Sequence, residues 1–325
     1  MACLQPLRGF RSRRLTEKGK RGIVFHAKDG FVDLPVVLRC GRCISCRLER
    51  SRQWAMRCVH EASLHDENVF LTLTFCDKYL EPSGSLVKSD FQRFMKRLRK
   101  FVENRGEGRR IRFYHAGEYG ELCSDCKASR LRCMCNRFRV SIGRPHHHVI
   151  IFGMDFSDKV LWKCVDGIRL YRSKALELLW PYGFASVGDV TFESAAYVAR
   201  YVVKKITGIP AALYYGGRLP EYSTMSRRPG IARQWYEQFR SDVFPLDEVV
   251  IRGGVKCRPP QYYSRLFSVD NPDEYGSIVA KRELACKELE RNEMPVVYGK
   301  VSKQSVYYEV MNRRVEQLKR GRVDE

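Results

Sequence analysis

The run Arg144-Pro145-His146-His147-His148-Val149-Ile150-Ile151-Phe152 leaves a chain few ways to fold around it. Its second half is an unbroken apolar stretch, the pattern of a strand covered on both faces. Such a strand sits inside a sheet rather than at its edge. Side chains alternate along a strand, so His146 and His148 share one face and His147 points to the other. Two imidazoles side by side on a rigid strand can hold one divalent cation between them.

The flanking text supplies the rest of the sheet. Ile44, Leu48, Ala55, Val59 and Ala62 recur at helical spacing between Cys43 and about His65. Val69 to Phe75 reads as a strand, and Pro82-Ser83-Gly84 as a turn. Ser89 or Asp90 can cap a helix whose stripe is Phe91, Phe94, Met95, Leu98 and Phe101. Ile111 to Ala116 is a second strand, leading into Gly117-Glu118-Tyr119-Gly120. Residues 121–139 are cysteine-rich and read as an insertion before the histidine strand. A helix near 172–180, a strand near 184–192 and a helix at 194–206 follow. Neighbouring strands with short links imply an α+β fold: an antiparallel sheet, ferredoxin-like or palm-like, with helices on one face and the other left open. Residues 1–37 read as a basic irregular segment, 38–265 as the main domain, and 266–325 as a charged C-terminal extension.

Composition narrows the partners. The formal charge of +22 and pI near 9.6 point to a polyanion. No stretch is apolar enough to cross a bilayer, and the basic N-terminus lacks the apolar core of a secretory signal, so a cytoplasmic protein with no membrane partner is expected. Thirteen cysteines in such a chain suggest metal rather than disulfides. Cys40, Cys43, Cys46 and Cys58 can make one tetrahedral zinc site, and Cys123, Cys126, Cys133 and Cys135 a second; unligated packed thiols are the alternative. Cys3, Cys76, Cys164, Cys257 and Cys286 read as small packing residues.

About fifty residues past the histidines stands Tyr197-Val198-Ala199-Arg200-Tyr201-Val202-Val203-Lys204-Lys205. Tyr197 and Tyr201 are four apart and share a helix face. A phenol is a poor nucleophile at neutral pH, so attack on DNA needs a phosphate polarised by metal and a cation to favour phenolate. Arg200, Lys204 and Lys205 are near in sequence. With His146 and His148, Glu118 is the third ligand expected, around Mg²⁺ or Mn²⁺. Arg227 and Arg228, with Arg93, Arg97 and Lys100, are candidates for phosphate contacts, which position DNA without reading its sequence.

The histidine strand followed by the paired-tyrosine helix resembles the HUH endonuclease superfamily of rolling-circle initiators and relaxases, and Phe70-Leu71-Thr72-Leu73-Thr74 resembles its first motif. The stretch from Cys40-Gly41-Arg42-Cys43 to Trp54, Gly117-Glu118-Tyr119-Gly120, Gly143-Arg144-Pro145-His146, Tyr197 to Tyr201 and Met225-Ser226-Arg227-Arg228-Pro229-Gly230 together resemble the replication initiators of microviruses, the gokushovirus branch in particular. That resemblance spans roughly residues 38–265. It implies a metal-dependent tyrosine endonuclease and strand transferase, nicking origin DNA through a 5′-phosphotyrosine link and later rejoining single-stranded circles. Single-stranded and duplex origin DNA, a host polymerase and a host helicase are the partners it implies, in the host bacterial cytoplasm. By position, His146 and His148 fall on the metal histidines and Tyr197 and Tyr201 on the nucleophiles. The motif's middle residue is usually bulky and apolar; here it is His147, which parity turns toward the helices. A non-catalytic zinc-containing nucleic-acid-binding protein, and a plasmid or transposon nickase of the same superfamily, are the competing readings.

Overall fold

Strand pairing begins near the N-terminus. Leu7–Leu15 (β1), Arg21–Val24 (β2) and Gly30–Leu38 (β3) form an antiparallel sheet in the order β2-β1-β3. The irregular segment expected at 1–37 is therefore corrected. Most side chains of this sheet are exposed on both faces, so no buried face imprints an apolar alternation on the sequence. The structure, a computed structural model, describes residues 3–17, 19, 21–106, 108, 110–123, 125–126, 134–135, 140–165, 167–204, 206, 208–292 and 306–313. The chain divides into two compact units, one of residues 1–50 with 294–320, the other of residues 51–293 with 321–325. Helix α1 (Ile44–Ala62) starts in the first and ends in the second. Residues 306–313, in the first unit, are helical.

The second unit is built on β4 (Asn68–Thr74), α2 (Lys88–Asn104), β5 (Arg112–Cys123), β6 (Val140–Phe152), β7 (Val160–Val165), β8 (Ile168–Arg172), α3 (Lys174–Leu179), β9 (Ala185–Asp189), α4 (Phe192–Lys204), α5 (Ile209–Tyr215) and β10 (Tyr222–Met225). Then come α6 (Arg233–Val243), the short pair β11 (Val249–Val250) and β12 (Lys256–Cys257), α7 (Gln261–Asp270) and α8 (Pro272–Asn292). One sheet runs β10-β5-β6-β4-β9-β8-β7, antiparallel throughout. The histidine strand β6 lies inside it, between β5 and β4. The α+β class with an antiparallel sheet is what the chain adopts.

Helices cover both faces of this sheet, where the sequence suggested one. Phe70, Tyr114, Ile150 and Phe152 pack with Met56 of α1, Val198 of α4, Tyr236 of α6 and Tyr263 of α7. On the opposite face Leu71, Leu73, Val149 and Ile151 pack with Phe94 and Leu98 of α2 and Leu176 of α3. The cause is in β4 and β6 themselves, which are apolar at both parities, and a sheet apolar on both faces must bury both. Each fully buried side chain of this kind contributes about 1.5–3 kcal/mol, which holds α2 in place without a side-chain cap at Val87. The hairpin β7–β8 has no counterpart in the sequence reading; exposed Val160, Leu161 and Trp162 give it no polar–apolar alternation. The C-terminal extension is likewise more regular than expected, since α7 and α8 cross its assigned start.

Beneath this core, α1 grips the segment after β10. Glu61 pairs with Arg112 of β5 and accepts from the Ala232 amide; Arg112 also donates to the Pro229 carbonyl at 2.9 Å. Burial alone would raise the Glu61 carboxyl, but hydrogen bonds from His65 and Ala232 and the Arg112 guanidinium outweigh it and hold it low. Gly230 lies so close to Tyr262 that a Cβ would stand 2.6 Å from its hydroxyl. The Arg-Arg-Pro-Gly motif therefore has a structural role as well.

Nearby, His60 is buried, stacks on Trp235 at 3.6 Å and has Nδ1 2.8 Å from the Tyr263 hydroxyl. Burial pulls its pKa from 6.5 to about 4. Below 6.5 the unfolded chain takes up a proton that the folded imidazole refuses. Stability should be full above that value and fall as pH drops toward 4, with about 3 kcal/mol lost there through this residue. Urea midpoints across that range, against His60→Phe, check this. Equal pH slopes in both proteins would disprove it.

Candidate metal centre and tyrosine helix

Register brings the three expected ligands together. Glu118 of β5 lies directly across from His146 of β6, and His148 is flanked by Ala116 on one side and Thr72 of β4 on the other. The small Ala116 leaves room for the Glu118 carboxylate to reach both imidazoles. Its Oε1 lies 2.6 Å from His146 Nε2 and 3.1 Å from His148 Nε2. One donor atom from each residue falls within 4.8 Å of the others. Glu118 and His148 are buried, whereas His146 retains some exposure. Glu118 is mid-strand rather than at a strand end, because β5 continues to Cys123.

The outer nitrogens are also engaged. His146 Nδ1 is 3.2 Å from the Arg144 carbonyl, and His148 Nδ1 is 3.1 Å from Thr72 Oγ1. A carbonyl can only accept, so His146 carries its proton on Nδ1 and turns Nε2 toward Glu118. A cation, proton or metal, belongs between that nitrogen and the carboxylate. Partners on the far nitrogens fix tautomer and ring orientation at metal sites. Thr72 was legible only as part of a strand. Thr72→Val should weaken Mn²⁺ binding by about 10–100-fold, read by titration of the paramagnetic ion. Unchanged affinity would remove Thr72 from the site.

His147 faces α2, as parity requires. It is fully buried among Phe75, Phe91 and Trp180, with Nδ1 3.1 Å from His115 Nε2. His115 stacks on Phe91 at 3.5 Å and meets Thr224 of β10 at 2.9 Å. Burial lowers both histidines, His147 to about 3, so this pair is neutral and structural. Gly117, opposite His147, leaves the space: a Cβ there would stand 3.0 Å from Tyr222 and 3.3 Å from His147.

Helix α4 lies over the metal face. The Tyr197 ring is 5.2 Å from that of His148, edge to face, and 6.3 Å from that of Phe70. Tyr201 lies one turn further along α4. The side chains of Arg200, Tyr201 and Lys204 fall outside the described part, and Lys205 lies outside the described residues.

Other expected residues are placed elsewhere. Arg227 and Arg228 are exposed and line a cleft of about 1050 Å³ with Arg99 and Arg110. Ser226 bonds to Phe113, near the start of β5, so this cleft opens about 15–20 Å along that strand from Glu118. Arg97 donates to the Leu179 carbonyl at 2.8 Å and so joins α2 to α3 instead of facing solvent. Cys123, Cys126 and Cys135 bring their sulfurs within 4.8 Å of one another; Cys133 lies outside the described residues. The insertion extends the β5–β6 hairpin, since Cys123 pairs with Val140. Cys58 is corrected: it is fully buried in the core with Met56 and Phe70, and burial raises its thiol pKa. Cys40, Cys43 and Cys46 gather instead with Cys3, which sequence spacing had left as a packing residue. Cys76 and Cys164 are exposed, so packing does not account for them either.

The family model of the replication-associated protein ORF2 matches residues 68–206, the stretch from β4 through α4 that carries all three ligands and both tyrosines. The chain is 32% identical to the replication-associated protein VP4 of Bdellovibrio phage phiMH2K over 297 residues, covering 89% of this chain and 84% of that one. The chain belongs to this replication-associated protein family. Replication-associated protein ORF2 of Spiroplasma virus 4 is 29% identical over 310 residues, with 88% and 87% covered. Replication-associated protein ORF4 of Chlamydia phage 1 is 29% identical over 262 residues, covering 76% of this chain and 59% of its own. No solved structure is a significant match. The microvirus resemblance of the motifs thus extends to most of this family member's length. Among the described residues no helix is long and apolar enough to cross a membrane.

Proposed function

We propose that this family member initiates rolling-circle replication by nicking origin DNA. The observation that carries the reading is the convergence of Glu118, His146 and His148 within 4.8 Å, with the Tyr197 ring against His148. Two imidazoles and a carboxylate suit a divalent ion such as Mn²⁺ or Mg²⁺. Bound there, the ion would polarise a scissile phosphate. Tyr197 attacks phosphorus, the P–O3′ bond breaks, and the 3′ oxygen leaves as a hydroxyl after taking a proton. The 5′ phosphate remains on tyrosine, so the bond energy is kept for rejoining. Tyr201, on the same helix, serves a second transfer that releases a circle. Lys204, Lys205 and Arg200 favour phenolate by charge, and Arg227 and Arg228 hold duplex phosphates away from the cut. Host polymerase and helicase in the bacterial cytoplasm supply synthesis and unwinding.

The test is covalent capture. The purified chain is mixed with labelled single-stranded oligonucleotides tiling a candidate origin, with Mn²⁺, Mg²⁺ or EDTA. A metal-dependent band that survives denaturation is expected on one tile. Tight binding without cleavage on every tile, with either metal, would overturn the reading in favour of a non-catalytic DNA-binding protein.

A further inference from the structure

The sulfurs of Cys3, Cys40, Cys43 and Cys46 lie within 4.8 Å of one another, all in the first compact unit. We propose that these four thiolates hold a structural zinc ion that ties the N-terminal end of the chain to the start of α1. The inference is independent of the nicking reaction.

Distance is the first argument. Zinc–sulfur bonds of about 2.3 Å in a tetrahedron separate the sulfurs by about 3.8 Å. Cys3 Sγ and Cys43 Sγ are 3.9 Å apart. A disulfide would bring them to about 2.05 Å. The second argument is the backbone. Cys40 Sγ accepts from the amides of Arg42 at 3.4 Å and Cys43 at 3.2 Å, and Cys3 Sγ accepts from the amide of Cys40 at 3.3 Å. Amide donors aimed at sulfur favour the thiolate, the form that binds metal. Gly41 makes this turn possible: its φ of +70° is strained for any residue with a side chain. Cys46 then falls in the first turn of α1, where unpaired amides favour negative charge.

Topology is the third argument. An ion joining Cys3 to Cys40 closes a loop that contains the whole β2-β1-β3 sheet. That sheet is largely exposed and has little core of its own. Small folds of this kind need a staple, and metal affinity then becomes folding free energy. Packing of bare thiols does not explain the cluster, because Cys3, Cys40 and Cys43 are only partly buried. Four thiolates leave a zinc site with net negative charge, which Arg39, Arg42 and Arg47 flank in sequence.

The experiment uses the full chain, purified under reducing conditions. Native protein is alkylated with N-ethylmaleimide, with and without a zinc chelator, and each cysteine is followed by peptide mass spectrometry. Exposed Cys76 and Cys164 should react at once, whereas Cys3, Cys40, Cys43 and Cys46 should stay protected and become reactive together when zinc is removed. Cys3→Ser, made in a Cys126→Ser background to silence the other cluster, should lose its zinc by elemental analysis; Cys76→Ser should keep it. Cobalt(II) substitution should give the absorption bands of a tetrahedral tetrathiolate. Labelling of Cys3 as fast as Cys76 in untreated wild-type protein would overturn the proposal, and that readout does not depend on any variant folding.

Discussion

Tyr197→Phe is expected to abolish formation of the covalent protein–DNA adduct while leaving DNA binding intact. The substitution removes one oxygen and keeps the ring, so the packing of α4 against His148 and Phe70 is preserved. Phenylalanine offers no nucleophile at that position. Tyr201→Phe should still form the first adduct and fail to transfer it onward. Denaturing gels with labelled origin DNA separate the two, because a nick without rejoining leaves protein on the 5′ end. Wild-type adduct formation by Tyr197→Phe would assign the nucleophile to another residue.

The second large effect concerns the ion. His148→Ala should slow cleavage about a thousandfold or more at fixed Mn²⁺, since metal polarisation of a phosphate supplies several kcal/mol and each 1.36 kcal/mol is about tenfold in rate. His148 is fully buried and touches Glu118, Thr72 and Tyr197, so its removal disturbs ligand, orienting partner and nucleophile together. DNA affinity should change little, because cations elsewhere on the chain supply the phosphate contacts. Circular dichroism confirms folding, and single-turnover rates give the loss. Cleavage within tenfold of wild type would show that the ion, if bound, is not needed for the chemical step.

Strands that are buried on a face were easy to read, and strands that are not were missed. β4, β5 and β6 carry apolar runs dictated by the helices on either side, so their positions follow from residue order alone. β1, β2, β3, β7 and β8 bury few side chains, and exposed strands leave weak traces in composition. The same logic explains Cys3 and Cys58. Spacing along the chain favoured Cys58, twelve residues past Cys46, but a helix carries those twelve residues about 18 Å away. Cys3 comes back by way of a sheet that periodicity did not reveal.

What the sequence determined by itself is the set of groups on one strand: alternation alone puts His146 and His148 on one face and His147 on the other. It also put Tyr197 and Tyr201 on one helix face, because four residues make about one turn. Only the tertiary structure decided that Glu118 stands across from His146, that Thr72 orients His148, and that α4 lays Tyr197 beside the pair. Those are facts of register and crossing between separate elements. Register is set by packing of the whole sheet, where a one-residue slip would turn Glu118 to the other face, and no local pattern encodes it.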